Sequence, residues 1–416
     1  MAAQRTTVDP HRPALRIGLV GHGFIARAHA LAWQIAEQVF RLPARPALAV
    51  LAGRDEQRAQ EAATELGFGE AASDWRRLVE RPDIDVVDIC TPVASHAEIA
   101  EAALGAGKHV LCEKPLARTS AEAARLAELA AAASALGQVA MVGFNYRRIP
   151  AVALAQALCA DGRLGRLRHI RARYLQDWLA HEDAPWSWRL DAAQAGAGAL
   201  GDLGSHLIDL VGYVTGARLE RVSGTVSTFV ASRVPAGPRA GADVRRPVTV
   251  DDACSFFARD GNGATALFEA TRCALGRKNE LTLELEGTEG SLAFDLERLN
   301  ELRLYSELDE SETRGFRTVL VTEPAHPYLS AWWPPGHVLG WDHAFVHQAR
   351  DFVEAAVEGA PYAPDFSDGL YVQHVLEAVL ASAASGAREQ AVRGAASREP
   401  DASLDYQVTG RGASQP

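Results

Sequence analysis

Cysteine, clustered positive charge and long unbroken apolar runs are all scarce in this chain, and each scarcity closes off a class of function. The five cysteines, Cys90, Cys112, Cys159, Cys254 and Cys273, are odd in number, scattered and never spaced as CxxC. Neither a disulfide framework nor a zinc site is expected from them, and no metal ligands are assigned. Cys90 and Cys112 lie in apolar runs where a small thiol packs well. A formal net charge of -11 without any Lys/Arg cluster argues against a nucleic-acid partner, because phosphates call for such clusters. No apolar segment reaches the length of a membrane span, and the alanine-rich stretch over 126–136 is interrupted by Glu128. The opening MAAQRTTVDPHRPAL lacks the apolar centre of a secretory signal. With the thiol pattern, that gives the expectation of a cytoplasmic protein. What is present, 48% apolar and 23% charged residues over 416 positions, suits a globular chain too long for one ordinary core. Two domains are the default.

The first half reads as alternating strand and helix. LRIGLV (15–20) is apolar without polar alternation, as expected of a parallel strand covered on both faces. It runs into GHGFIARAHALAW, which places Gly21, Gly23 and Ala26 in G-x-G-x-x-A spacing ahead of a helical pattern. In a dinucleotide-binding turn the first glycine permits the bend, the second admits pyrophosphate, and the third small residue lets helix and strand pack. Further strands are read at 47–53, 86–92, 108–115 and 138–144, with helices at 56–66, 95–106 and 120–136. Such repetition implies a doubly wound parallel sheet with its ligand crevice at the carboxyl ends of the strands. After the second strand stand Gly53, Arg54 and Asp55. No carboxylate occupies the place that usually grips the adenosine ribose, and Arg54 could neutralise a 2'-phosphate, so the cofactor expectation is NAD or NADP with a slight lean to NADP. Asp55 remains able to reach a ribose.

EKP (113–115) ends another strand at that crevice. Proline cannot continue a central strand, so the chain turns and presents Lys114 toward the ligand. A cation there would favour the alkoxide-like oxygen that develops as hydride leaves a carbinol.

The rhythm changes after Arg147. A helix at 150–160 leads into alternating strand-like pieces, several joined by hairpin-like turns such as DGNG and GTEG, so a mostly antiparallel open sheet with helices on one side is expected. Residues 235–247 read as a loop, 343–358 and 368–385 as helices. The boundaries expected are a flexible lead-in over 1–14, a nucleotide-binding domain over 15–147, a substrate and oligomerisation domain over 148–386, and a polar tail over 387–416.

GALGDLGSHLIDL (198–210) places acids and an imidazole inside an otherwise buried-looking helix. At about 100° per residue, Asp202, His206 and Asp209 share an arc of roughly 60°, apart from Leu203, Leu207, Leu210 and Val211. The bland account is a solvated Asp/His face. The alternative is a proton acceptor, His206, with Asp202 tuning it or binding a neighbouring hydroxyl.

Taken together, GxGxxA, EKP, FNYR (144–147) and GDLGSHLID (201–209) resemble the Gfo/Idh/MocA family of NAD(P)-dependent sugar and polyol oxidoreductases. The likeness covers about 16–386. YLQDW (174–178), WSWR (186–189), AHPY (325–328) and WWP (332–334) narrow it toward members that act on anhydrosugars. The resemblance implies a nucleotide-binding Rossmann fold, a homodimer or homotetramer, and Lys114, Asp202 and His206 as the catalytic set. Sequence leaves open whether Lys114 or His206 is the ultimate base. Cofactor contacts are expected from Gly21, Gly23, Phe24, Ile25, Ala26, Gly53, Arg54, Asp55, Thr91, Pro92, His96, Glu113 and Lys114. Substrate contacts are expected from Asn145, Tyr146, Gln176, Asp177, Trp188, Arg189, Asp202, His206 and Asp209, since aromatic rings stack on sugar C-H faces while amides and acids take hydroxyls. Trp33 and Trp75 are expected in the core. The activity expected is oxidation of a ring hydroxyl in a sugar, a levoglucosan-like anhydrosugar (at its 3-hydroxyl) or a cyclitol such as inositol. A member that cleaves glycosides through transient oxidation, and a non-catalytic regulator of the same fold, are the competing readings.

Overall fold

The computed structural model describes residues 12–235 and 244–394. Most of the lead-in, the middle of the 235–247 loop and the tail beyond Gly394 lie outside the described residues. Six runs, β1 (Ala14–Val20), β2 (Arg45–Ala52), β3 (Glu70–Ala72), β4 (Val86–Ile89), β5 (His109–Cys112) and β6 (Ala140–Val142), form one sheet in the order β3-β2-β1-β4-β5-β6. Every pairing in it is parallel. Helices α1 (Phe24–Val39), α2 (Glu56–Leu66), α3 (Trp75–Glu80), α4 (His96–Gly105) and α5 (Ser120–Ser134) provide the crossovers.

The strands lack polar alternation because both faces are covered. Neighbouring residues of β4 enter different cores: Val86 joins Trp33 of α1, whereas Val87 joins Ile99 of α4 and Leu126 of α5. The strand order reverses between β1 and β4, which fixes the crevice there.

The remaining strands are β7 (His169–Leu175), β8 (Leu219–Ser227), β9 (Ser232–Arg233), β10 (Arg246–Pro247), β11 (Ala253–Asp260), β12 (Thr265–Thr271), β13 (Glu280–Glu286), β14 (Gly290–Asp295), β15 (Glu301–Ser306), β16 (Arg317–Leu320) and β17 (Gln390–Ala391). Nine of them build a second sheet in the order β16-β15-β14-β13-β7-β12-β11-β8-β17, while β9 and β10 form a separate two-residue ladder. Within the larger sheet only β7 and β12 run parallel. The fold is thus a Rossmann-type α/β domain plus an α+β domain with a large, mostly antiparallel open sheet, as the patterning implied. One correction concerns the stretch read as polar tail: Gln390 and Ala391 pair with Val222 and Arg221 and extend the sheet edge.

Along β11, Cys254, Phe256 and Ala258 point inward, and Ser255, Phe257 and Arg259 outward. The inner face is backed by α6 (Pro150–Ala160), α8 (Ser205–Thr215) and α10 (Phe366–Ala384), with a short α7 (Ala192–Ala195) before α8. Helix α9 (His343–Glu358) instead crosses back onto α1, where Phe352 meets the Trp33 indole edge-on at 5.6 Å. No helix among the described residues is long and apolar enough to cross a membrane.

The entry to α8 is held by one acid. Asp251 accepts from the Gly198 and Leu200 amides, both at 2.7 Å, and its carbonyl accepts from Ala199 at 3.0 Å. A Cβ at Gly198 would lie 1.8 Å from that carbonyl oxygen. Gly198→Ala is therefore expected to cost ~3 kcal/mol, at the upper end for overpacking, read as a lower midpoint in denaturant. An unchanged midpoint would show that this turn yields without cost.

Candidate active site

The carboxyl ends of β1, β2, β4 and β5 open into a cleft of about 1220 Å³ that continues to the second sheet. At its inner end Gly21 adopts φ 117°, and a Cβ there would sit 2.6 Å from the Cys90 carbonyl oxygen, so only glycine fits. Gly23 begins α1 with no side-chain cap, and nothing approaches within 4 Å of where its Cβ would be. That bare space beside unpaired amides fits a pyrophosphate. Ala26 is fully buried beneath, packed with Leu19 and Leu51, and gives the close helix-to-strand contact rather than a lining surface.

Phe24, Ile25, Gly53, Arg54, Thr91, Pro92, Glu113 and Lys114 all line the cleft. Two other expected contacts do not. Asp55 caps α2, accepting from the Arg58 amide at 3.1 Å, because a carboxylate directly before a helix finds free amides. His96 is buried, its ring nitrogens 3.0 and 2.8 Å from the carbonyls of Pro115 and Thr91, so it braces the lining from behind. Trp75 also departs from expectation: it lines the cleft under the Arg76 guanidinium, 4.3 Å from the ring centroid.

Glu113 is fastened from below. The buried His29 of α1 bridges Asp88, at 2.9 Å, and Glu113, at 3.1 Å, while Trp33 donates to Asp88 at 2.8 Å. Burial works to lower the His29 pKa, but the adjacent Asp88 charge overcomes it and raises the pKa well above the usual imidazole value. The other Glu113 oxygen accepts from the Lys114 amide at 3.2 Å, which fixes the turn that carries Lys114.

Lys114 reaches across to the GDLGSH segment. Its Nζ donates to the Asp202 carbonyl at 2.9 Å and to Oδ1 at 3.0 Å. Residues Leu200–Gly204 form a π-helical turn ahead of α8. This widening shifts Asp202 relative to a regular helix and lets both its main-chain and side-chain oxygens face one amine, a distortion common at functional sites. Burial pushes the Asp202 carboxyl up, yet Lys114, Arg272 and Arg189 together outweigh it and hold the group below the usual carboxylate range. His206 stacks on Tyr146 at 4.5 Å and 26°, with Phe144 and Tyr174 edge-on at 6.0 Å. Burial first, then the Lys114 charge, lower the His206 pKa well below its ordinary value against a raising effect of Asp202, which favours the neutral imidazole. Lys114, Asp202 and His206 all line the cleft, and the charges of the first two act on the imidazole.

Asn145, Tyr146, Gln176, Trp188 and Arg189 also line it. Asn145 is buried, and its Nδ2 has no protein partner among the described residues. Asp177 and Asp209 do not line it. Side chains alternate along and beyond β7, so Gln176 shares the Tyr174 side, whereas Asp177 is held behind Lys278, which it meets at 2.6 Å and which itself lines the cleft. Asp209 is buried against Arg147, with contacts of 2.5, 2.9 and 3.1 Å, and forms a structural ion pair. Sequence reasoning missed Tyr174, Arg272, Lys278, Asn279 and Trp341, all lining. For Tyr174 the period-2 pattern was a usable signal; the others sit at strand or helix ends, where only the tertiary fold places them.

Family models describe the two halves as an "Oxidoreductase family, NAD-binding Rossmann fold" over residues 15–144 and a "GFO/IDH/MocA C-terminal domain" over 152–293. The chain belongs to the Gfo/Idh/MocA oxidoreductase family. It is similar to levoglucosan dehydrogenase from Pseudarthrobacter phenanthrenivorans, 43% identical over 380 residues that span 89% of this chain and 96% of that protein. A crystal structure of an oxidoreductase domain protein from Kribbella flavida matches with TM-score 0.88 and 53% identity, covering 91% of this chain and 99% of that one. A levoglucosan dehydrogenase in complex with NADH and levoglucosan matches with TM-score 0.86 and 43% identity, covering 91% and 100%. This Gfo/Idh/MocA chain is thus an oxidoreductase with an NAD-binding domain.

Proposed function

We propose that the protein is a dehydrogenase that oxidises a ring hydroxyl of a sugar or anhydrosugar, levoglucosan-like substrates first, to a ketone. The observation that carries the reading is a Lys114 ion-paired to Asp202 at 3.0 Å in the cleft that the buried His206 also lines, where burial lowers the imidazole pKa. A bound nicotinamide dinucleotide supplies the hydride acceptor. An ammonium has three N–H donors; two of those on Lys114 meet Asp202, and the third is available to the reacting oxygen. As the hydroxyl O–H breaks and the C=O forms, His206 takes the proton and Lys114 stabilises the charge on oxygen. The unpartnered Asn145 Nδ2 supplies a further donor to ligand in the same cleft. The 43% identity to a levoglucosan dehydrogenase supports an anhydrosugar ahead of a cyclitol. The test is a panel of sugars and cyclitols with each dinucleotide, following reduced nicotinamide and ketone. Ketone formed in step with reduced nicotinamide is expected; glycoside cleavage without net reduction would replace this reading.

NAD is supported by the NADH complexes of the similar enzymes, and NADP by Arg54. Arg54 lines the cleft, while Asp55 beside it is engaged in capping α2. Arg54→Ala is expected to raise KM for NADP about tenfold and for NAD much less, as for one lost charge-assisted contact. Equal effects would remove the case for NADP.

The outer face of the large sheet supports self-association into a homodimer or homotetramer. Phe257 and Leu267 stand side by side there, 66% and 38% exposed.

A further inference from the structure

Two indoles donate into a chain of hydrogen bonds along the substrate side of the cleft. An indole nitrogen can only donate. Trp341 Nε1 lies 3.0 Å from the Tyr146 hydroxyl, so that oxygen accepts. The Tyr174 proton goes to Asn279 Oδ1 at 2.8 Å, so the Tyr174 oxygen accepts from the Tyr146 hydroxyl at 3.0 Å. From the opposite end, Trp178 Nε1 donates to Gln176 Oε1 at 2.8 Å. That contact sets the Gln176 amide, whose Nε2 donates to the same Asn279 Oδ1 at 2.6 Å. Both chains converge on one carbonyl oxygen, so the Asn279 carboxamide has a single permitted orientation.

The consequence is an unshared donor. Asn279 lines the cleft, its main chain is pinned by Glu297 at 2.9 Å, and its Nδ2 has no protein partner among the described residues. Resting on the dehydrogenase reading, we propose that Asn279 is a specificity-determining residue whose Nδ2 binds a substrate oxygen that has lone pairs and no hydrogen, the ring or bridging ether oxygen of an anhydrosugar. Tyr146 and Gln176 then act mainly through Asn279, because their own polar atoms are engaged with protein. An ether oxygen can only accept, so it matches a fixed donor and would be repelled by an acceptor in its place, whereas a hydroxyl can pair with either.

Asn279→Asp tests this with little change of shape. The carboxylate still accepts from Tyr174 and Gln176, but its outward atom becomes an acceptor. The KM for levoglucosan is expected to rise about tenfold, the scale of one lost hydrogen bond at a half-buried group, with the dinucleotide KM unchanged. Any turnover of myo-inositol, whose hydroxyls can donate to the new oxygen, is expected to be spared. Should Asn279→Asp fail to fold, Trp178→Phe decides: it removes only the N–H that orients Gln176, and a smaller rise in levoglucosan KM at constant dinucleotide KM is expected. An unchanged levoglucosan KM, or an equal rise for the dinucleotide, overturns the assignment in either variant. If the unaltered enzyme oxidised no ring polyol, the dehydrogenase reading would fail, and this assignment with it.

Discussion

His206→Ala is expected to lower turnover by roughly 10²–10⁴, the range of a lost general base, while affinity for the dinucleotide stays the same. The ring partners of the imidazole are Phe144, Tyr146 and Tyr174, which lie outside the glycine-rich turn, so its loss is expected to remove a proton acceptor and leave that turn in place. Steady-state kinetics with a dinucleotide titration separates the two quantities. Turnover that survives the substitution, within a few-fold, would remove His206 from the proton path.

The second large effect is at Lys114. Lys114→Met should cost ~10²–10³ in turnover, as for one lost contact to a developing oxyanion, and should also move the pH profile. The His206 pKa is lowered by burial and then by the Lys114 charge, and raised by Asp202. Without the ammonium, burial and the raising effect of Asp202 remain but one of the two lowering causes is gone, so His206 takes up a proton at higher pH. The acid limb of residual kcat/KM should therefore shift upward. A loss of rate with no shift would mean that the amine and the imidazole do not share one electrostatic environment.

How far the sequence was legible depends on whether a signal was local. G-x-G-x-x-A, EKP and GDLGSHLID are each set by backbone demands within a few residues: the Gly21 bend, the turn after β5, and the helix entry. Those motifs lie where expected in the structure. Asp209 failed because helical periodicity groups it with His206 but is silent about Arg147, which comes from 62 positions away and claims both its oxygens. Asp177 failed for a reason within reach, since alternation along β7 already separates it from Gln176. Asp55 was read for its charge alone, although its place before α2 makes it a cap. Trp341 and Asn279 carry no local signal at all: they stand just ahead of α9 and β13, and their hydrogen bonds reach residues more than a hundred positions earlier.

The π-helical turn over Leu200–Gly204 joins these points. Regular helical spacing put Asp202, His206 and Asp209 on one face, whereas the widened turn delivers Asp202 to Lys114, with His206 beside the pair and Asp209 left in the core.

A ternary complex with a sugar and the reduced dinucleotide bears most directly on this arrangement. One sugar oxygen, on the carbon facing the nicotinamide, should lie within about 2.6–3.2 Å of both Lys114 Nζ and a nitrogen of His206. A sugar whose reacting oxygen meets neither group, or a ring bound on the far side of the cleft from α8, would contradict the account.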